Sequence, residues 1–349
     1  MVYWRGMNKI NSETIVARVI AEYKGAYKVK VSAGEFLAKI TGKQMFESGS
    51  REDYPAVGDW VEIMMADKEN AVIQKILPRK TIIKRKSNNK NETQIIATNI
   101  DVAFVVESVD RDFSLNRFER YFTIATGGEA EVAIILNKID LITKEKLDLV
   151  LSQIKNRFNK IDVVLASTVT NEGLDELKKF ILKDKTYCFL GSSGVGKSSL
   201  INKLLGKDIL RTEDISTYSG RGKHVTTKRE MYFLENGGIV IDNPGMREVG
   251  MTDNIEGVND FFGEIASLAD GCKYKDCTHT QESGCAVLST LKSGTLDKEK
   301  YFNYIKLKKE AEFYELTNIE KREKERDFGK FIKKAKKDLS GFGHKDYGR

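Results

Sequence analysis

Long apolar runs are missing from this 349-residue chain, and none approaches the roughly 18 residues needed to span a bilayer. Its first residues, Met-Val-Tyr-Trp-Arg-Gly-Met-Asn-Lys, lack the apolar stretch of a secretory signal. The expectation is a cytoplasmic protein that enters no membrane. Cysteine is scarce too: four residues, three of them within fourteen positions, which is no disulfide framework of a secreted domain.

What is present is an ordinary soluble balance, 40% hydrophobic and 31% charged, in a length suited to two or three domains with cores of their own. A formal charge of +7 is modest for that length, so it points to a polyanionic partner only where basic residues gather. They gather at residues 79–86 and again from Lys321 onward, including Lys330, Lys333, Lys334, Lys336 and Lys337. Either run also reads as a plain solvated surface.

The pattern of the chain changes along its length. Short alternating runs at residues 14–21, 26–31, 35–40, 59–64 and 71–76 predict five strands and a small β-barrel of OB type over residues 1–85. Such a barrel serves nucleic acid or serves as scaffold. Tyr23, Tyr27 and Trp60 are available for base stacking, with core packing as their more ordinary role. Residues 88–98 are polar and read as a linker. Continuous apolar strands at 102–106, 132–136, 163–166, 187–190 and 239–241 then alternate with helical patterns at 115–126, 144–158, 174–182 and 197–205. That alternation predicts a doubly wound α/β domain over 90–250, with ligands at the carboxyl ends of its strands.

The loop Gly191-Ser-Ser-Gly-Val-Gly-Lys-Ser198 lies between such a strand and such a helix. Its glycines, Gly191, Gly194 and Gly196, let backbone N–H groups turn inward onto phosphate oxygens, with Ser192, Ser193 and Val195 between them and Ser199 just beyond. Lys197 is expected to reach the β and γ phosphates, and the Ser198 hydroxyl to ligate Mg²⁺. Asn137-Lys138-Ile-Asp140 follows another strand. A carboxylate at Asp140 can accept hydrogen bonds from the N1–H and exocyclic amine of guanine, so GTP is expected rather than ATP. Ser167 follows a third strand and is placed for a backbone contact to the guanine oxygen.

Asp242-Asn-Pro-Gly245 ends the strand at 239–241. Asp242 is expected to hold Mg²⁺ through water and the Gly245 N–H to report the γ-phosphate. The segment 219–228, rich in glycine and charge, behaves as a switch whose threonine completes the Mg²⁺ shell. Thr226 is favoured over Thr227. Met246 stands where many GTPases carry a water-orienting glutamine, so intrinsic hydrolysis is expected to be slow, and His224 is the local side chain able to position water. The base-reading motifs precede the phosphate loop, so the GTPase domain is circularly permuted.

Beyond it, Cys272, Cys277, His279 and Cys285 have the spacing C-x4-C-x-H-x5-C, which fits a closed, structural zinc site. Cys188, inside the strand before the phosphate loop, reads as core. Residues 298–339 read as one or two helices whose Tyr301, Tyr304, Ile305, Leu307, Phe313 and Leu316 pack back on a zinc-binding, helical domain over 251–349, ahead of a basic tail.

Together these features resemble the ribosome small-subunit-dependent GTPases of the RsgA (YjeQ) family over nearly the whole chain. The resemblance rests on the barrel with Val57-Gly-Asp59, the permuted motif order, the loop Gly220-Arg-Gly-Lys-His224 and the Cys3His set. The family's loop has a threonine where this chain has Val225. The resemblance implies a late-acting assembly factor that binds the small subunit and its rRNA near the decoding region, is stimulated by it to hydrolyse GTP to GDP, and uses His224 to position water. It is expected to act as a monomer. Two other readings stand beside it: a non-catalytic RNA-binding module with GTP as a structural ligand, and a small-molecule kinase, which the switch-like loop and base motif disfavour.

Overall fold

The computed structural model describes residues 14–42, 49–87, 90–110, 113–210, 229–243 and 255–315. Five strands open the chain: β1 (Ile15–Tyr23), β2 (Ala26–Val31), β3 (Gly34–Ile40), β4 (Trp60–Met65) and β5 (Asn70–Ile76). They pair in the order β1-β2-β3-β5-β4 and close through β1–β4, with β3 and β5 parallel. Alternation puts Val19, Tyr27, Val29, Val61, Ile63 and Ile73 into the interior. This is the expected OB-type barrel, and Tyr27, 7% exposed, belongs to its core. Trp60 lies under the Arg18 guanidinium, 4.8 Å from its ring centre.

The expected linker is largely a strand. β6 (Ile82–Ser87) and β7 (Lys90–Thr98) form an antiparallel hairpin, and Ile83, Ile96 and Ala97 enter the main core. Several residues of the basic run at 79–86 are paired within the fold. Arg79 gives a bidentate pair to the fully buried Asp59, at 2.8 and 2.7 Å, and further hydrogen bonds to the carbonyls of Glu52 and Tyr54. Lys84 pairs with Glu52, and Arg85 donates to Gln94 across the hairpin.

The α/β domain follows: β8 (Val102–Ser108), α1 (Leu115–Thr126), β9 (Glu131–Asn137), α2 (Lys144–Arg157), β10 (Val163–Ala166), α3 (Leu174–Phe180), β11 (Thr186–Leu190), α4 (Lys197–Leu205), β12 (Glu230–Phe233) and β13 (Ile239–Asp242). Strand order is β10-β9-β8-β11-β13-β12, all parallel except β12. The strands are continuously apolar because both faces are covered. Phe104, Ile135 and Phe189 meet α3 and α4 on one side, and Val105, Ile134 and Leu190 meet α1 on the other. The strand β12 had no counterpart in the sequence pattern. It pairs with β1 at Ala21 and Glu230, so the barrel and the α/β sheet form one eleven-stranded array.

Among the described residues four further helices follow: α5 (Ile255–Phe261), α6 (Gly263–Ala269), α7 (Ala286–Lys292) and α8 (Lys298–Glu315). They cover α1 through Phe262, Val287, Tyr301, Tyr304, Ile305 and Leu307. Phe313 departs from the expected inward packing, since its 49% exposure puts it on the outer face of α8. A buried polar cluster fixes this seam. Arg157 Nε donates to Glu119 at 2.8 Å, Asn303 donates to the same carboxylate, and Arg120 makes a bidentate pair with Glu310. Leu316 and the basic residues from Lys321 onward lie outside the described residues. Among the described residues no helix is long and apolar enough to cross a membrane.

Candidate nucleotide site and metal centre

All five residues of β11 are buried, and the strand lies at the centre of the α/β sheet, so the loop after it emerges where the carboxyl ends of β8 and β13 converge. Only glycine fits at two points of that loop. Gly191 and Gly196 have φ of 152° and 96°, and an added Cβ would lie 2.3 Å from the Val106 carbonyl or 2.3 Å from Asn137 Nδ2. Gly196 caps α4 without a side chain, which leaves the first N–H groups of that helix to an anion.

Lys197, 5% exposed, lies back along the loop, its Nζ 2.8 Å from the Gly191 carbonyl and 2.7 Å from that of Ser192. Burial pushes its pKa down to about 8, against the opposing pull of Asp242 and Glu107. At the end of β13, burial pushes Asp242 up to about 6, opposed by Lys197. Its buried Oδ1 meets no hydrogen-bond donor among the described residues. A buried carboxylate oxygen left in that condition beside the phosphate loop fits a cation. Ser198 and Ser199 lie in the first turn of α4.

The base-reading residues meet this loop from β9 and β10. Asn137, fully buried, donates through Nδ2 to the Val195 carbonyl at 2.8 Å. Lys138 has a left-handed backbone, φ 61°, that opens the tight turn carrying Asp140. The Ser167 hydroxyl is bonded to Asp140 Oδ1 and accepts the N–H groups of Val169 and Thr170. Its own N–H is given to the Glu172 carbonyl at 2.9 Å, and its side chain is the group that orients Asp140.

The four expected zinc ligands also come together, with their ligand atoms within 4.8 Å of one another. Cys272 Sγ lies 3.8 Å from Cys285 Sγ and 3.6 Å from His279 Nδ1, and Cys285 Sγ lies 3.5 Å from that nitrogen. A tetrahedron with Zn–S of about 2.3 Å and Zn–N of about 2.05 Å requires edges of about 3.8 and 3.6 Å. The distances among Cys272, His279 and Cys285 match those edges, and with Cys277 close by the four donors are of the kind that holds a structural zinc. No disulfide joins these cysteines. Tyr301 donates its hydroxyl to the His279 carbonyl at 2.6 Å, which ties the ligand loop to α8.

The family model described as RsgA GTPase matches residues 76–252. The chain belongs to the RsgA GTPase family. Among its relatives is the "Small ribosomal subunit biogenesis GTPase RsgA 2" of Lactiplantibacillus plantarum, 40% identical over 334 residues and covering 95% of this chain and 93% of the relative. Another is the "Small ribosomal subunit biogenesis GTPase RsgA 1" of Bacteroides thetaiotaomicron, 38% identical over 328 residues, covering 93% and 91%. The crystal structure of YjeQ from Thermotoga maritima superposes with a TM-score of 0.63 at 25% identity, over 85% of this chain and 98% of that one. The structure of YloQ, titled a circularly permuted GTPase, shares the fold with a TM-score of 0.60.

In this RsgA GTPase two further acidic residues, without a motif in the sequence, lie against the loops just described. Glu107, fully buried at the end of β8, pairs with Arg117 at 3.1 Å and acts electrostatically on Lys197. Asp110 accepts Lys138 Nζ at 3.2 Å. The signal for Glu107 was a charged residue ending an apolar strand on the ligand side of the sheet. Cys188 is fully buried as expected, and its thiol is pushed up to about 12 by burial. His224, Thr226, Thr227, Gly245 and Met246 lie outside the described residues.

Proposed function

We propose that this GTPase acts on the small ribosomal subunit late in its maturation, hydrolysing GTP to GDP and phosphate when the particle stimulates it. The observation that carries the reading is the Asn137–Val195 hydrogen bond. It joins a guanine-reading motif to a phosphate loop that follows it in sequence, in a chain whose relatives are named for small-subunit biogenesis.

In this mechanism the loop N–H groups and the Lys197 ammonium receive the β and γ phosphates. Asp140, held by Ser167, reads the guanine edge. Ser198 and Asp242, with Thr226, are the residues to hold Mg²⁺, which when bound offsets phosphate charge. His224 orients the attacking water. Water adds to the γ-phosphorus, the bond to the β–γ bridging oxygen breaks, and that oxygen departs with the electron pair as part of GDP. Slow turnover without the particle follows from Met246 at the usual glutamine position.

The working parts are the barrel at 1–85, the permuted GTPase domain at 90–250, and the zinc-binding helical domain with its basic tail at 251–349. One structural Zn²⁺ is held by Cys272, Cys277, His279 and Cys285. The protein works in the cytoplasm as a monomer and contacts rRNA.

The test is GTP hydrolysis alone, with small subunits, with large subunits, and with ATP replacing GTP. Stimulation by small subunits only is the expected result. GTP binding without stimulation by either particle would favour the RNA-binding module with a structural nucleotide. His224→Ala should keep nucleotide binding and lose stimulated turnover, and full stimulated activity in that variant would remove the histidine from the mechanism.

A further inference from the structure

Asp110 lies just past the end of β8 and is tied to the base-reading loop. Ser108 donates through Oγ to Asp110 Oδ1 at 2.8 Å, which fixes the carboxylate on the strand end. The other oxygen, Oδ2, receives Lys138 Nζ at 3.2 Å. The two loops are also joined through backbone, Val109 N–H donating to the Asn137 carbonyl at 3.2 Å. Lys138 is thus held at both ends. Its left-handed backbone, φ 61°, is closed by Leu141 N–H donating to its carbonyl at 3.0 Å, and its ammonium is anchored on Asp110.

This ion pair explains little as a device for stability. The two side chains are 20% and 29% exposed, where such pairs contribute weakly to folding. Its place explains more. Lys138 stands between Asn137, which grips the phosphate loop, and the turn of Asp140. A free lysine has four side-chain torsions to order when a ligand arrives, and that ordering weakens binding. A lysine already stretched between its own turn and Asp110 avoids most of the loss.

We propose that Asp110 is a positioning residue of the guanine site, holding the Lys138 ammonium so that the methylene stem is laid out as one flank of the purine pocket before nucleotide arrives. The inference rests on the guanine-nucleotide reading above. It assigns Asp110 an effect on binding of the nucleoside part, for GDP and GTP alike, and none on the phosphate loop.

The test uses the full chain, fluorescence titration with GDP, and inorganic tripolyphosphate as a competitor that reads the phosphate loop alone. Asp110→Asn keeps the shape and an acceptor for Ser108 while removing the charge. The expected result is GDP affinity lowered about threefold to tenfold, tripolyphosphate affinity unchanged, and recovery in Asp110→Glu. GDP affinity equal to wild type in Asp110→Asn overturns the proposal. So does a parallel fall for GDP and tripolyphosphate, which would make Asp110 a general support of the loop. If Asp110→Asn does not fold, Ser108→Ala carries the same test, with a smaller loss in the same pattern expected and no loss overturning the proposal. Failure of the wild-type chain to bind GDP would instead refute the guanine-nucleotide reading itself.

Discussion

Asn137 and Val195 stand 58 positions apart and are joined by a single 2.8 Å hydrogen bond from the side-chain Nδ2 to the backbone carbonyl. Replacing Asn137 with alanine leaves a loop carbonyl without its donor, at a cost of about 1–3 kcal/mol. The same change lets the base-reading turn drift relative to the phosphate loop. Asn137→Ala is expected to lower GDP affinity at least about tenfold while reducing stability in urea by that amount. Parallel denaturation and GDP titrations check both, and an unchanged affinity would mean that the two motifs are held together by other means.

Two glycines with left-handed backbones separate packing from conformation. Gly196 has φ 96° and no room for a Cβ against Asn137, whereas Gly206 has φ 66° and nothing within 4 Å. Gly206→Ala is expected to cost about 1 kcal/mol of backbone strain and leave GDP binding unchanged. Gly196→Ala is expected to abolish GDP binding. Equal loss in both variants would show that backbone strain alone, not the packing of Gly196 on Asn137, governs the loop.

The buried Lys197 predicts a linkage between pH and nucleotide. Its folded pKa is lowered to about 8 from an ordinary 10.5. The nucleotide-free fold therefore bears the full cost of the buried ammonium below about pH 8, and is relieved of it as pH rises toward 10.5, where the unfolded chain still holds the proton. Stability attributable to this group rises with pH across that window. Phosphate restores the charge, so GDP binding at about pH 9 should take up a proton, with little uptake at about pH 7. Calorimetry in two buffers of different ionisation enthalpy measures this, and equal proton uptake at both pH values would contradict it.

Zinc removal should act at a distance. Cys277 and Cys285 belong to the core that also contains Phe122 of α1 and Phe262. Chelation, or Cys285→Ser, is expected to lower the melting temperature by about 5 °C or more and to raise hydrogen exchange in α7, α8 and the outer face of α1. Wild-type protein should carry one zinc per chain by elemental analysis. A zinc-free chain with unchanged melting would assign those cysteines to packing alone.

Much of the site was legible because its chemistry demands residue types at fixed spacing. β11, the loop and α4 follow from apolar strand, glycines and amphipathic helix, and the zinc ligands from soft donors in one short stretch. The hairpin of β6 and β7 was hidden because residues 86–94 are almost all polar, and its buried residues, Ile83, Ile95, Ile96, Ala97 and Thr98, sit at its two ends. β12, four residues long, has too little sequence to show a period. The commitment of Arg79 depended on Asp59, 20 positions away, a pairing that composition cannot reveal. The turn that holds Ser167 is legible from its place after β10, whereas the bond of its N–H to Glu172 is not, because backbone hydrogen bonding within a turn is invisible in a residue pattern.

The order of strands in the sheet also bears on how the chain is built during translation. Within the α/β sheet β8, β9 and β10 are synthesised first, with β9 paired to each of the other two, so their pairing needs nothing from β11 onward. β11 then adds to the exposed edge of β8, β13 adds to β11, and β12 lies between β13 and the barrel's β1. The barrel precedes them in the chain, and the end of β1 beyond its pairing with β4 is the part that meets β12. The guanine-reading half is thus assembled before the phosphate-binding loop exists, and nucleotide can serve as a ligand only to a chain whose synthesis has passed α4.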